Sequence, residues 1–153
     1  DVYKRQGMAY ASHYAALSYG GAGLNAVHGI AYAVAGLTHA THGSTNAVML
    51  PYVLDALRTE RPAELLEVAS LFGIETKDPV AAVAQVPVVI RNLIGELGIP
   101  TNLREFGVGR EHLGDLTRDA LAVTRLAKAF PVADVPATYA RIIDAAWHGK
   151  LGD

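Results

Sequence analysis

The sequence predicts an all-α domain, a bundle of helices, on three observations. Apolar residues recur three and four apart through most of the chain, no stretch alternates apolar and polar residues as a half-buried strand would, and Pro, Gly and Asp fall where helices start and stop. A length of 153 residues suits one domain with a buried core. A hydrophobic fraction of 51% against 18% charged describes a folded chain rather than a disordered one. No repeat or low-complexity tract interrupts it.

Met8 to Tyr19 reads as a helix of small and aromatic residues, broken by Gly20-Gly21-Ala22-Gly23. Asn25 to Gly36 reads as a buried helix whose small residues allow close approach, with His28 and Tyr32 on one face. After a polar break from Thr38 to His42, a helix resumes from Gly43 to about Leu57, with Pro51 predicting a kink or boundary near Leu50. Ala63 to Phe72 carries an amphipathic stripe started by Pro62 and stopped by Gly73. Asp78-Pro79 opens a long apolar helix to Leu97, kinked at Pro87 and closed by Gly98 and Pro100. Thr101 to Gly109 is a loop, and Glu111 to Ala129 is one helix. Asp134-Val135-Pro136 starts the last helix, which ends near His148 before Gly149.

Composition excludes several function classes. The formal net charge is −2 and no Lys/Arg run occurs, so neither nucleic acid nor an acidic membrane is an expected partner. With no cysteine, disulfides and thiolate metal sites are excluded, and any metal falls to His, Asp or Glu. The longest apolar stretch, Ala22 to Leu37, is broken by glycines and His28 and is shorter than the roughly 20 residues of a membrane span. No secretory signal is read at the N-terminus. The opening Asp1-Val2-Tyr3-Lys4-Arg5-Gln6 is polar and unlike the small and aromatic residues after it. The codons GAT GTG TAT AAG AGA CAG encode it and match the transposon end used in sequencing-library preparation. Residues 1–6 are therefore read as a translated adapter, and 7–153 as the domain.

The segment Val27 to Gly43 poses the functional question, because a stretch of small apolar residues carries His28, His39 and His42. One histidine on an apolar face is ordinarily a core residue with its hydrogen bonds satisfied. Three close together favour a ligand role. Packed antiparallel, the two helices would bring the imidazoles of His28 and His42 together. Two nitrogens do not complete a site, since zinc takes three or four ligands and non-haem iron a similar mix of imidazole and carboxylate. Asp144 and His148 are spaced i, i+4, but a histidine in a last helical turn and a carboxylate one turn earlier form an ordinary surface pair. His39 reads as a solvated loop residue, and His13 and His112 have no partner by spacing. The glycine cluster after Tyr19 follows a helix rather than a strand, so it reads as a helix-to-helix turn and not a phosphate cradle. No Ser/His/Asp order or Glu-x-x-His element stands out.

The run His28-x-x-x-Tyr32-x-x-x-Gly36-x-x-x-x-x-His42-Gly43-x-x-Asn46-Ala47-x-x-Leu50-Pro51 resembles the metal-binding signature of the iron-containing alcohol dehydrogenases. That signature reads His-x-x-x-His-x-x-x-Gly, then His-Gly-x-x-Asn-Ala and Leu-Pro. Ile99-Pro100-Thr101-Asn102-Leu103-Arg104 resembles the family's later Leu-Pro-x-x-Leu-Arg loop, and Ile143-Asp144-Ala145-Ala146-Trp147 its C-terminal helix. The chain departs from the pattern at Tyr32, where many members carry a second histidine, at Gly21, where Asn is frequent, and at Lys128-Ala129-Phe130-Pro131, which replaces an Asn-Pro-Arg stretch.

The resemblance implies the helical C-terminal domain of the dehydroquinate synthase-like fold, with an N-terminal dinucleotide-binding domain preceding it. It implies a divalent metal, Fe2+ or else Zn2+, held by one Asp and three His. His28 and His42 take two of those places, and the Asp-x-x-x-His pair lies upstream. It implies NAD or NADP, Tyr32 near the nicotinamide, a small alcohol or aldehyde substrate, a cytoplasmic homo-oligomer, and an inactive fragment with apolar surface exposed near Gly20 to Val34. A phenol at Tyr32 is a poorer base than imidazole at neutral pH. The alternative is a stand-alone helical interaction or metal-binding module, the latter using Asp144 and His148.

Overall fold

The computed structural model describes residues 1–152, and among these no strand occurs. The helices are α1 (Val2–Ala22), α2 (Ala26–Thr38), α3 (His42–Ala56), α4 (Pro62–Leu71), α5 (Pro79–Glu96), α6 (Leu113–Ala122), α7 (Thr124–Lys128) and α8 (Val135–His148), with a 3₁₀ turn at Arg110–His112 leading into α6. The all-α expectation holds.

Local chemistry sets most boundaries. The Asp78 carboxylate accepts from the Val80 N–H at 3.0 Å and Asp134 from Ala137 N–H at 3.0 Å, so both predicted Asp-Pro starts are helix caps. Asn25 caps α2 in the same way through Val27.

Two expectations fail, each where packing outweighs a local signal. Gly20 and Gly21 lie inside α1, which ends only at Gly23. Each keeps its N–H and costs the helix about 1 kcal/mol, which a helix end tolerates. Pro87 sits inside α5 as expected, and Pro51 sits inside α3, so of the two alternatives at Pro51 a helix boundary does not occur. Both are buried, so core contacts offset the lost backbone bond. The single helix read over Glu111 to Ala129 divides at Val123, whose ψ of 66° is not helical. That break lets Leu126 and Ala127 turn into the core.

In the bundle, α2 packs on α3 and α6, α3 on α5 and α8, α4 on α5, and α6 on α8. Ile30, Val34, Val48, Met49, Tyr52 and Ile143 lie at its centre. Gly29 of α2 permits the closest approach. A Cβ there would stand 3.3 Å from the Tyr139 hydroxyl of α8 and 3.6 Å from Leu126. The apolar surface expected to be exposed over Gly20 to Val34 lies elsewhere: Ala26, Ile30, Ala31 and Val34 are buried, whereas α1 buries nothing and exposes Tyr3, Met8, Tyr10, Tyr14 and Leu17. α2 has α3 and α6 to cover it, and α1 has no comparable neighbour.

Candidate metal centre

The three-residue link between α2 and α3 folds the two helices against each other. His28 lies in the first turn of α2 and His42 is the first residue of α3, and the two rings meet where the helices pack. Their centroids are 5.3 Å apart with planes at 52°. Tyr32, one turn after His28, stacks on His42 at 5.5 Å and 19°, and meets the His28 ring edge-on at 6.2 Å. The predicted site residues therefore form one cluster at the surface, where Tyr32 remains 43% exposed.

Two further residues belong to the cluster that spacing alone left without a role. Tyr19, near the end of α1, places its ring 6.4 Å from that of His28. Asn46 sits one turn after His42. Its Nδ2 donates to the His42 carbonyl at 2.8 Å and lies 3.1 Å from each ring nitrogen, so the amide rests against the ring. Its Oδ1 is buried with no partner among the described residues. The i, i+4 spacing from His42 to Asn46 carried that signal. Tyr19 had none, because its approach depends on the angle of the glycine turn.

The local electrostatics favour neutral imidazole. Burial, and secondarily the His42 ring beside it, hold the His28 pKa below its ordinary 6.5. Neutral imidazole is the form that binds metal.

The other histidines stand apart from this cluster. His39 ends α2 in the left-handed region at φ 55° and is exposed, as a loop residue should be. His148 pairs with Asp144 at 3.3 Å, the surface pair that its position in α8 predicts. His13 is exposed on α1. His112 lines a cleft of about 550 Å³ whose opposite wall carries Tyr32 and Gly36. In that cleft Arg118 is fixed between Asp115 at 2.6 Å and Asp119 at 3.0 Å. Among the described residues no three His, Asp or Glu side chains converge as a complete metal site.

The family described as "Fe-containing alcohol dehydrogenase family, C-terminal" matches residues 1–143, which include His28, Tyr32, His42 and Asn46. The chain belongs to the Fe-containing alcohol dehydrogenase family. It is 31% identical over 153 residues to "Long-chain-alcohol dehydrogenase 1" of Geobacillus thermodenitrificans (strain NG80-2), covering 99% of this chain and 39% of that protein. It is 35% identical over 110 residues to "1,3-propanediol dehydrogenase" of Klebsiella pneumoniae, covering 71% of this chain and 28% of that one. A solved structure of 1,3-propanediol oxidoreductase superposes with a TM-score of 0.84 at 30% identity, covering 92% of this chain and 37% of that chain. The chain thus spans less than two fifths of the relatives it matches, and its helices are this family's C-terminal helical domain. Among the described residues no helix is long and apolar enough to cross a membrane.

Proposed function

We propose that this chain is the metal-binding helical half of an NAD(P)-dependent alcohol dehydrogenase, with His28 and His42 as two of the ligands of a divalent iron or zinc ion. One observation carries the reading: the 5.3 Å separation of the two imidazoles. Two histidine rings sharing a tetrahedral ion at nitrogen distances of about 2.1 Å have centroids roughly 5 Å apart. The residues present fit such an ion in two more respects. The depressed pKa of His28 supplies a neutral donor, and Asn46, against the His42 ring, keeps a buried Oδ1 with no partner among the described residues.

When bound, the ion supplies Lewis acidity to the substrate oxygen, and the nicotinamide exchanges hydride with the adjacent carbon. The chain's own residues do the positioning. Asn46 holds the His42 ring from below and fixes its orientation. Tyr32 stacks on the His42 ring, and its hydroxyl is a hydrogen-bond donor for a cofactor or substrate amide. As a phenol in place of an imidazole, it orients a substrate better than it relays a proton at neutral pH. The cleft from Tyr32 to Arg118 gives a small alcohol or aldehyde its approach.

On this reading an upstream dinucleotide domain and an Asp-x-x-x-His helix complete the site, Asp1–Gln6 is a translated adapter, and the isolated helical half is inactive. The whole enzyme is then a cytoplasmic homo-oligomer. The deciding experiment recovers the source gene across the junction before Gly7, expresses the complete reading frame and assays NAD(P)H formation from primary alcohols with Fe2+ or Zn2+. Metal-dependent turnover is expected. A start codon immediately before Asp1, or a complete frame without turnover, would sink the reading.

A further inference from the structure

A second polar region lies far from the histidines. The hydroxyl of Tyr52, which donates to the Thr101 carbonyl at its rim, is ten residues past His42, about 15 Å along α3. Here the C-terminal end of α8 meets α5 and the loop after Pro100. Arg91 Nη1 donates to the Gly149 carbonyl at 3.1 Å and Arg104 Nη2 to the His148 carbonyl at 3.2 Å. These consecutive carbonyls are the orphan acceptors of a helix end, so the two guanidinium groups stand side by side.

Capping α8 uses little of what the arginines offer. Each guanidinium carries five N–H donors, and each gives one of them to a backbone carbonyl, while Arg91 also lies against the Tyr52 hydroxyl. Every ion pair formed by the other arginines joins neighbours in sequence, Arg58 with Asp55, Arg61 with Glu64, and Arg118 with Asp115 and Asp119. Among the described residues neither Arg91 nor Arg104 has a carboxylate partner. Arg104 is also steadied over the Trp147 ring at 5.3 Å. Both face an open cleft of about 600 Å³, which Asn92, Thr101 and Asn102 also line. Glu96 is the one carboxylate among its lining side chains, and two more stand beside it, Glu105 accepting from Thr101 N–H and Asn102 Nδ2 and Asp144 paired with His148.

We propose that this cleft binds an oxyanion, held by the guanidinium groups of Arg91 and Arg104. A forked guanidinium matches the paired oxygens of a phosphate or a carboxylate, and two half-fixed forks lose little entropy on binding. The helix-end carbonyls, Glu96 and Glu105 oppose the anion, so affinity is weak to moderate and depends on salt.

Calorimetric titration of the chain with inorganic phosphate and, separately, acetate at low ionic strength tests the site. Saturable one-to-one binding is expected, weakened roughly tenfold in Arg91→Gln, tightened roughly threefold in Glu96→Gln, and unchanged in Arg141→Gln on the exposed side of α8. Tighter binding of phosphate assigns a phosphate ester, and tighter binding of acetate a carboxylate. Circular dichroism shows whether Arg91→Gln stays folded. Where it does not, Glu96→Gln decides, because Glu96 takes no part in holding α8. Absence of saturable binding for both anions, or affinities that ignore the Arg91 and Glu96 substitutions in folded protein, overturns the site and leaves the arginines as caps alone.

Discussion

His28 and His42, fourteen residues apart in sequence, hold their ring centroids 5.3 Å apart. The three-residue link between α2 and α3 and the packing of the two helices on each other bring this about. Both ligand candidates therefore belong to consecutive helices of this domain.

Because both rings lie in this chain, its metal binding is measurable without any other domain. Cobalt(II) titration should give a weak, saturable ligand-field band, because two imidazoles are fewer than the three or four donors of a full site. His28→Ala and His42→Ala should each weaken it roughly tenfold or more, and Asp144→Ala should leave it unchanged. Equal binding by all four proteins would remove His28 and His42 from the ligand set. Loss on Asp144→Ala would favour the stand-alone module that uses Asp144 and His148.

Asn46 touches His42 through its side-chain amide and leaves Oδ1 buried and unpartnered. Asn46→Ala should cost roughly ten- to a hundredfold in cobalt affinity, as removal of an orienting neighbour generally does. Asn46→Asp introduces a charge that a nearby cation can use, and should recover much of the loss. If neither substitution moves the affinity while α3 stays intact by circular dichroism, Asn46 has no orienting role.

Helix starts were legible because a cap is local: an Asp two or three residues before the N–H it accepts is visible as Asp78-Pro79 or Asp134-Val135-Pro136. The continuation of α1 through Gly20-Gly21 and the break at Val123 were not, because packing decides such points, as the burial of Leu126 after Val123 shows, and packing depends on the whole bundle. The candidate site divides in the same way. His28, Tyr32 and His42 come together through two consecutive helices and can be read from spacing. Tyr19 and His112 reach the cluster and its cleft from α1 and from the turn before α6, and nothing in their neighbourhoods announces it.

Gly29 and Tyr139 give a stability test of the core. The Tyr139 hydroxyl is fully buried without a partner and occupies the space that a side chain on Gly29 would need. Gly29→Ala should destabilise by roughly 1–3 kcal/mol through overpacking, even though alanine is the better helix former. Tyr139→Phe should stabilise by about 1 kcal/mol, since it removes a desolvated hydroxyl. Combined, the two substitutions should cost less than their separate effects predict. Strict additivity in urea unfolding would show that the residues do not press on each other.

The same hydroxyl sets an alkaline limit. Burial pushes the Tyr139 pKa up to about 12 in the folded chain, against about 10 when unfolded. Between those values the native state keeps a proton that the unfolded state has lost, so stability falls as pH rises. The contribution is whole below pH 10, declines from there and is gone above about pH 12, a loss of roughly 2–3 kcal/mol. Other tyrosines and lysines titrate in the same range, so the informative quantity is the difference from Tyr139→Phe, which cannot ionise there. Urea midpoints measured at pH 8 and pH 11.5 should differ more for the unsubstituted chain than for the variant. Parallel curves would mean that the phenol ionises as readily in the fold as in water, and that the closed packing of Gly29, Phe130 and Tyr139 opens to solvent at high pH.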